Sequence, residues 1–304
     1  MNAERSVLES DDATTVFLPV SFNAESMYPF LGRALAICAS DGCLTLYLDF
    51  RNFRFIEPVG MVVLSNLIDY VRRRGTAVVF RYHRVPSEGI CYLDDSGFFE
   101  EYDSGRLFRQ SSLRTTTMPL QRIDGPRSTE YLYMQLIPWV ARTIDESPRS
   151  LEALRTSLEE IFHNFRDHSG VDAGCAFAQH FPYDRKIQIA VADFGEGIPN
   201  VVRKKVPEAD DRQAMLLACE EGFTTGTNGH NRGAGLPNLI RYISRRLEGT
   251  VLLAAGTATL AASGSSIRAK MSRGFFPGTM VRVIIPTGPL LRSRDDVEPE
   301  EFEW

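Results

Sequence analysis

Residues 151–170 read LEALRTSLEEIFHNFRDHSG, and two interleaved patterns in this stretch point to a fold and to a ligand. Leu151, Leu154, Leu158, Ile161, Phe162 and Phe165 recur at helical spacing, which predicts an amphipathic helix with one face in a core. Glu160, Asn164 and His168 stand four residues apart. At about 100° per residue, each step of four drifts by only about 40°, so the three share one stripe beside the apolar face. One helix then presents a carboxylate, an amide and an imidazole to one ligand. A carboxylate can polarise a water or hydroxyl nucleophile, and an amide oxygen is a hard, neutral ligand suited to Mg²⁺ that is also held by phosphates. Taken alone, the same letters also describe an ordinary solvated helix face.

The segments that follow favour a nucleotide. A strand pair is expected near 174–181 and 186–192, the second within KIQIAVADFGEGIP (186–199). An aspartate at a strand end, Asp193, can accept a hydrogen bond from an exocyclic amine, and Gly195 and Gly197 let backbone pass close to a flat ring. Next comes GFTTGTNGHNRGAGLPNLIRYI (222–243), where Gly226, Gly229, Gly233 and Gly235 lead into a helix expected near 234–247. Bare amides and a helix N-terminus suit phosphate, so this stretch reads as a pliable lid.

The ordered set Glu160-xxx-Asn164-xxx-His168, Asp193-x-Gly195-x-Gly197, Phe223-Thr224-Thr225, Gly229-xxx-Gly233-x-Gly235-Leu236 and PGTMVRVIIP (277–286) resembles the GHKL ATPases, which include histidine kinases, anti-sigma-factor kinases and gyrase B. The likeness covers about residues 129–287, and the form of its motifs is nearest to the anti-sigma-factor kinases. It implies a Bergerat α/β sandwich that binds ATP with Mg²⁺. Glu160 would be the general base and Asn164 the Mg²⁺ ligand. Asp193 and Thr279 would contact adenine, with Gly195 and Gly197 lining the base. Gly233 and Gly235 would lie by the phosphates, with His168, Thr225, Gly229, Arg232 and Leu236 completing the nucleotide contacts. The lid departs from the family pattern at Arg232 and Ala234.

Other readings of these letters fail on spacing. Asp193-Phe194-Gly195 spells the metal-binding triplet of eukaryotic-type protein kinases, and Arg166-Asp167 mimics their catalytic loop. Asp172 stands where that loop needs asparagine, and no VAIK-type lysine strand precedes it. No glycine is followed by lysine, which disfavours a Walker ATPase. His163 and His168 are five apart and diverge on a helix, unlike the four-residue spacing of two-histidine zinc helices.

Upstream, LYLDFRNFRFIEPVGMVVLSNLIDYVRRRGTAVVF (46–80) predicts a strand, a helix opened by Pro58 and closed by Gly75, and a second strand. Over residues 14–82 this resembles a STAS domain, the fold of anti-anti-sigma factors. That family commonly carries a phosphorylatable serine at the helix start, where this chain has Pro58. Pattern weakens over 84–127, which reads as the remainder of the first domain and a linker. Three segments are therefore expected: a STAS-like domain and linker at 1–120, a histidine-kinase-like domain at 121–290, and an acidic tail at 291–304.

The 304 residues suit two α/β domains. A net charge of −5 gives no general attraction to nucleic acid or anionic membrane. The five cysteines form no CxxC pair, and no apolar run reaches the length of a membrane span. A cytoplasmic protein is expected. Two functions stay open: an ATP-dependent regulatory protein whose lid controls partner binding or homodimerisation with slow hydrolysis, and a Ser/Thr kinase acting on a STAS-like protein partner. A sensor histidine kinase is disfavoured because STEYLYMQLIPWVARTID (128–145) contains no histidine.

Overall fold

The computed structural model describes residues 14–40, 43–123, 126–168, 174–223 and 235–287, with backbone alone at 126–127 and 164–168. The chain opens with β1 (Thr15–Phe17) and β2 (Ser21–Phe22), split by Pro19, which cannot donate to a ladder. Then come α1 (Met27–Ala39), β3 (Thr45–Asp49), β4 (Phe55–Ile56), α2 (Pro58–Arg73) and β5 (Ala77–Arg81). Pro58 sits in the first turn of α2, and Gly75 takes a φ of 84° just beyond its end, as the sequence predicts. β1, β3 and β5 form a parallel sheet in the order β1-β3-β5.

Residues 84–127 hold more structure than their weak pattern suggests. Ser87 caps α3 (Glu88–Asp95) by accepting from the Ile90 amide at 3.3 Å, and Gly97, at φ 80°, opens the short α4 (Phe98–Tyr102). Phe98, Phe99 and Tyr102 are buried, so tertiary packing fixes a segment whose scattered glycine, serine and aspartate obscured its period. β6 (Thr117–Ile123) then joins the second sheet as an edge strand, so the expected division at 120/121 falls inside a strand.

After β6, α5 (Pro126–Tyr131) runs through a π-helical turn (Leu132–Leu136) into α6 (Ile137–Thr143). A 3₁₀ turn (Pro148–Leu151) leads into α7 (Glu152–His168), then β7 (Gly174–Phe181) and β8 (Lys186–Ala192). Short helices α8 (Ile198–Arg203) and α9 (Asp211–Leu217) precede α10 (Gly235–Arg241), which ends in a second π-helical turn (Tyr242–Arg246). The long strands β9 (Thr250–Ser263) and β10 (Ser266–Pro286) close the fold. The second sheet is antiparallel throughout, in the order β6-β7-β8-β10-β9. β10 meets β8 only over Met280–Pro286 but pairs with β9 from Ser266 onward, so the hairpin tip is a two-stranded arm.

Alternate residues of this sheet enter two cores, as the two-residue period of a strand requires. Ile187, Ile189, Val191, Val281, Val283 and Ile285 pack with Leu154, Leu158, Ile161, Leu239 and Ile243 on the helical side. Cys175, Phe177, Ala190, Ala192, Phe276 and Met280 share the other core with Val62, Val63, Leu67, Leu46 and Leu48 of the N-terminal half. α2 lies between the two sheets and is buried from Pro58 through Ile68, which explains why PVGMVVLSNLI carries almost no polar face. β2 and β4 pair as a separate two-stranded parallel sheet, so the protein is a mixed α/β fold with two parallel sheets, one antiparallel sheet and α2 as a shared middle layer. Among the described residues no helix is long and apolar enough to cross a membrane.

Candidate functional site

Helix α7 forms where its stripe predicts. Ser147 caps the preceding 3₁₀ turn by accepting from the Ser150 amide at 3.2 Å. Leu151, Leu154, Leu158, Ile161 and Phe162 are buried on the helical side of the second sheet. Glu160 is half-buried on the flank of that face. Asn164 and His168 follow on the helical backbone, and their side chains lie outside the described residues. α7 and α10 run antiparallel along a seam: Tyr242 Oη donates to Ser150 O at 2.7 Å at one end, and Gly235 meets Glu160 at the other. A Cβ at position 235 would run into the Glu160 carboxyl. The first residue of α10 is thus held against the candidate base. Leu236, next to it, packs on the core.

Asp193 follows β8 and is 4% exposed. Its backbone amide donates to Thr279 O at 2.9 Å, and its Oδ1 accepts from the Thr279 amide at 2.9 Å and the Gly195 amide at 3.1 Å. Oδ2 has no protein partner among the described residues. The Thr279 hydroxyl accepts from the Ile198 amide at 3.2 Å, tying the same residue to the start of α8. Two glycines make this closeness possible. Gly278 has φ 84°, and a Cβ there would fall 2.6 Å from the Gly195 nitrogen and against Asp193 itself. Gly197, at φ 77°, leaves no room for a Cβ beside Gly278 O. Register shifts in β10 between Met271 and Thr279 accompany this approach, as bulges beside sites commonly do.

Asp193, Gly195, Gly197 and Thr279 are therefore one interlocked group, and Glu160 and Gly235 form a second contact. Thr225, Gly229, Arg232 and Gly233 lie outside the described residues. Gly278, the middle residue of the Pro277-Gly278-Thr279 triplet, also belongs to the group. Its need for a positive φ is not visible in that triplet. No protein-family model matches the chain, and no curated protein matches it.

Burial pushes the Asp193 carboxyl up to about 6, while the Gly195 and Thr279 amides pull it back down. The folded protein therefore holds this proton more tightly than the unfolded chain, whose aspartates titrate near about 3.9. Its contribution to stability is greatest below about pH 4 and is lost as pH rises through about 6, a swing of about 3 kcal/mol. Urea unfolding at about pH 4 and about pH 7 should show this loss in the parent and not in Asp193→Asn. Equal pH dependence in the two proteins would contradict the assignment.

Proposed function

We propose that the chain binds ATP with Mg²⁺ through the Asp193 group and the Glu160–Gly235 contact, and that nucleotide occupancy of this site regulates a protein partner with slow turnover. The observation that carries the proposal is the Asp193 carboxylate. One oxygen is saturated by two backbone amides, and the second is left unpartnered beside backbone that glycine keeps bare. An oxygen with no protein donor on so enclosed a residue suits an exocyclic amine on a flat ring, because it is free to accept from a ligand and selects one that donates. Above about pH 6 the carboxylate is charged and ready to accept, so ATP affinity should strengthen through that range.

The motif order supports the same reading: carboxylate helix, Asp-x-Gly-x-Gly, glycine-rich segment, Pro-Gly-Thr strand. Among the described residues no three His, Cys, Asp or Glu side chains converge as a protein-only metal cage. An Mg²⁺ ion here would be held by Asn164 together with the nucleotide's own phosphates. Glu160 would orient the attacking water. The N-terminal half contributes no acceptor hydroxyl at the start of α2, since Pro58 occupies it and Ser65 is fully buried. A phosphoacceptor at that position of a STAS-like domain would therefore have to come from a separate chain.

The test is a thermal unfolding series on the full chain with Mg²⁺ and ATP. At a ligand concentration about 100 times Kd, mass action stabilises the fold by about 2.7 kcal/mol, which raises the midpoint by several degrees. Absence of any rise at millimolar ATP, with the protein shown to be folded, overturns the proposal. Labelled ATP with and without STAS-domain proteins then separates hydrolysis from transfer.

A further inference from the structure

The Asp193 loop is braced from the N-terminal half of the chain. Asn66, Asp69 and Tyr70 lie three and four residues apart on α2, so they share one face, and each has a partner in the second half. Asn66 is 3% exposed, and its Nδ2 donates to Ala192 O at 3.0 Å, to Val62 O at 2.8 Å and to Cys175 Sγ at 3.2 Å. Ala192 is the residue immediately before Asp193. Asp69 accepts from Arg122 of β6 at 2.7 and 3.1 Å. The Tyr70 ring meets Phe194 edge-on at 5.7 Å, and Phe194 in turn meets Phe276 at 5.5 Å. Both neighbours of Asp193, Ala192 and Phe194, are thus held by α2.

We propose that Asn66 and Tyr70 are positioning residues for the base-recognition loop, so that adenine selectivity at Asp193 depends on α2 of the N-terminal half. The proposal rests on the ATP reading above and extends it by naming what sets the loop. The physical reason is directional. A carboxylate tells one base edge from another only if its free oxygen is fixed to within a few tenths of an ångström. Two amides fix Asp193 Oδ1, but these belong to the same unit of loop and β10 turn, so they do not by themselves place that unit against the rest of the fold. The Asn66 amide and the Tyr70 ring tie that unit to a buried helix lodged between two sheets. A helix buried on every side from Pro58 through Ile68 leaves little room for the loop to drift.

The experiment uses the full chain and compares Asn66→Leu, Tyr70→Leu and a core truncation remote from the loop, Val16→Ala. Two readouts are taken: hydrogen exchange of the Gly195 and Thr279 amides, and the ratio of ATP to GTP affinity. Asn66→Leu should speed exchange of those two amides at least about 10-fold beyond its effect on the slowest-exchanging amides of the second sheet, and lower the ATP:GTP ratio by about 10-fold. Tyr70→Leu should do the same more weakly, and it serves where Asn66→Leu does not fold. Val16→Ala should change neither readout beyond its general loss of stability. Unchanged exchange and an unchanged ratio in a folded Asn66→Leu protein overturn the proposal, and Asn66 is then only an interface residue. A parent that binds no nucleotide overturns the ATP reading alone, because the exchange measurement still decides whether α2 positions the loop.

Discussion

Truncating Phe177 to alanine is expected to cost about 3–5 kcal/mol and to lower the unfolding midpoint of both halves of the chain together. Phe177 lies on β7 with no exposed surface, in the core that the second sheet shares with α2 and the parallel sheet. Its ring meets Tyr92 of α3 at 6.4 Å and 90°, so its loss leaves a cavity bounded by both halves. Whole-protein stability is typically about 5–15 kcal/mol, so a loss of this size is readily measured in urea. The two halves can be followed separately. Trp139 is buried in the helical-side core and reports on the second half by fluorescence, while hydrogen exchange on β3 reports on the first. Coincident shifts in both signals are the expected result. A shift in one signal with the other unmoved would show two independently folding units.

That shared core was the part of the fold least visible in the sequence. β8 could be bounded from its β-branched residues, and α2 from Pro58 and Gly75, because those signals are local. The nearly continuous apolar character of residues 58–68, broken only by Ser65 and Asn66, recorded burial on all sides but could not say against what. The answer is a sheet whose strands lie more than a hundred residues away: the Asn66 bond to Ala192 spans 126 positions. In KIQIAVA, Ile187, Ile189 and Val191 alternate with Gln188, Ala190 and Ala192, and every one of these six is buried. The small residues on the second face mark where α2 approaches closely. In the candidate site, motif order points to Asp193 and Thr279, and the structure joins them by one backbone bond and one bond to the carboxylate. The helices at Glu88–Asp95 and Phe98–Tyr102 had no such marker. Five- and eight-residue helices are too short to show a period, and their packing depends on partners distant in sequence.

The bracing of Asp193 and the setting of Glu160 differ in kind, and the difference makes the site separable by mutation. Asp193 is buried, and its Oδ1 accepts from two backbone amides, a placement that suits the recognition role proposed for it. Glu160 is half-buried, its carboxyl lying against Gly235 at the first turn of α10, where the glycine-rich segment rejoins described structure. A general base contributes about 10²–10⁴ in rate while leaving ground-state binding to other contacts. Glu160→Gln keeps the shape and the contact with Gly235 but cannot accept a proton. It should therefore bind ATP within a few-fold of the parent and lose about 10²–10⁴ of whatever turnover or transfer the parent shows. Asp193→Asn should behave oppositely: its amide presents a donor where the exocyclic amine needs an acceptor, so ATP affinity falls while the Mg²⁺ requirement of residual binding persists. Asn164→Ala should weaken ATP binding in a manner dependent on Mg²⁺. Single-turnover kinetics beside equilibrium binding for the three variants distinguishes these patterns. If Glu160→Gln lost binding as fully as Asp193→Asn, its carboxylate would be holding the nucleotide or its ion, and the base would have to be sought elsewhere on the α7–α10 seam.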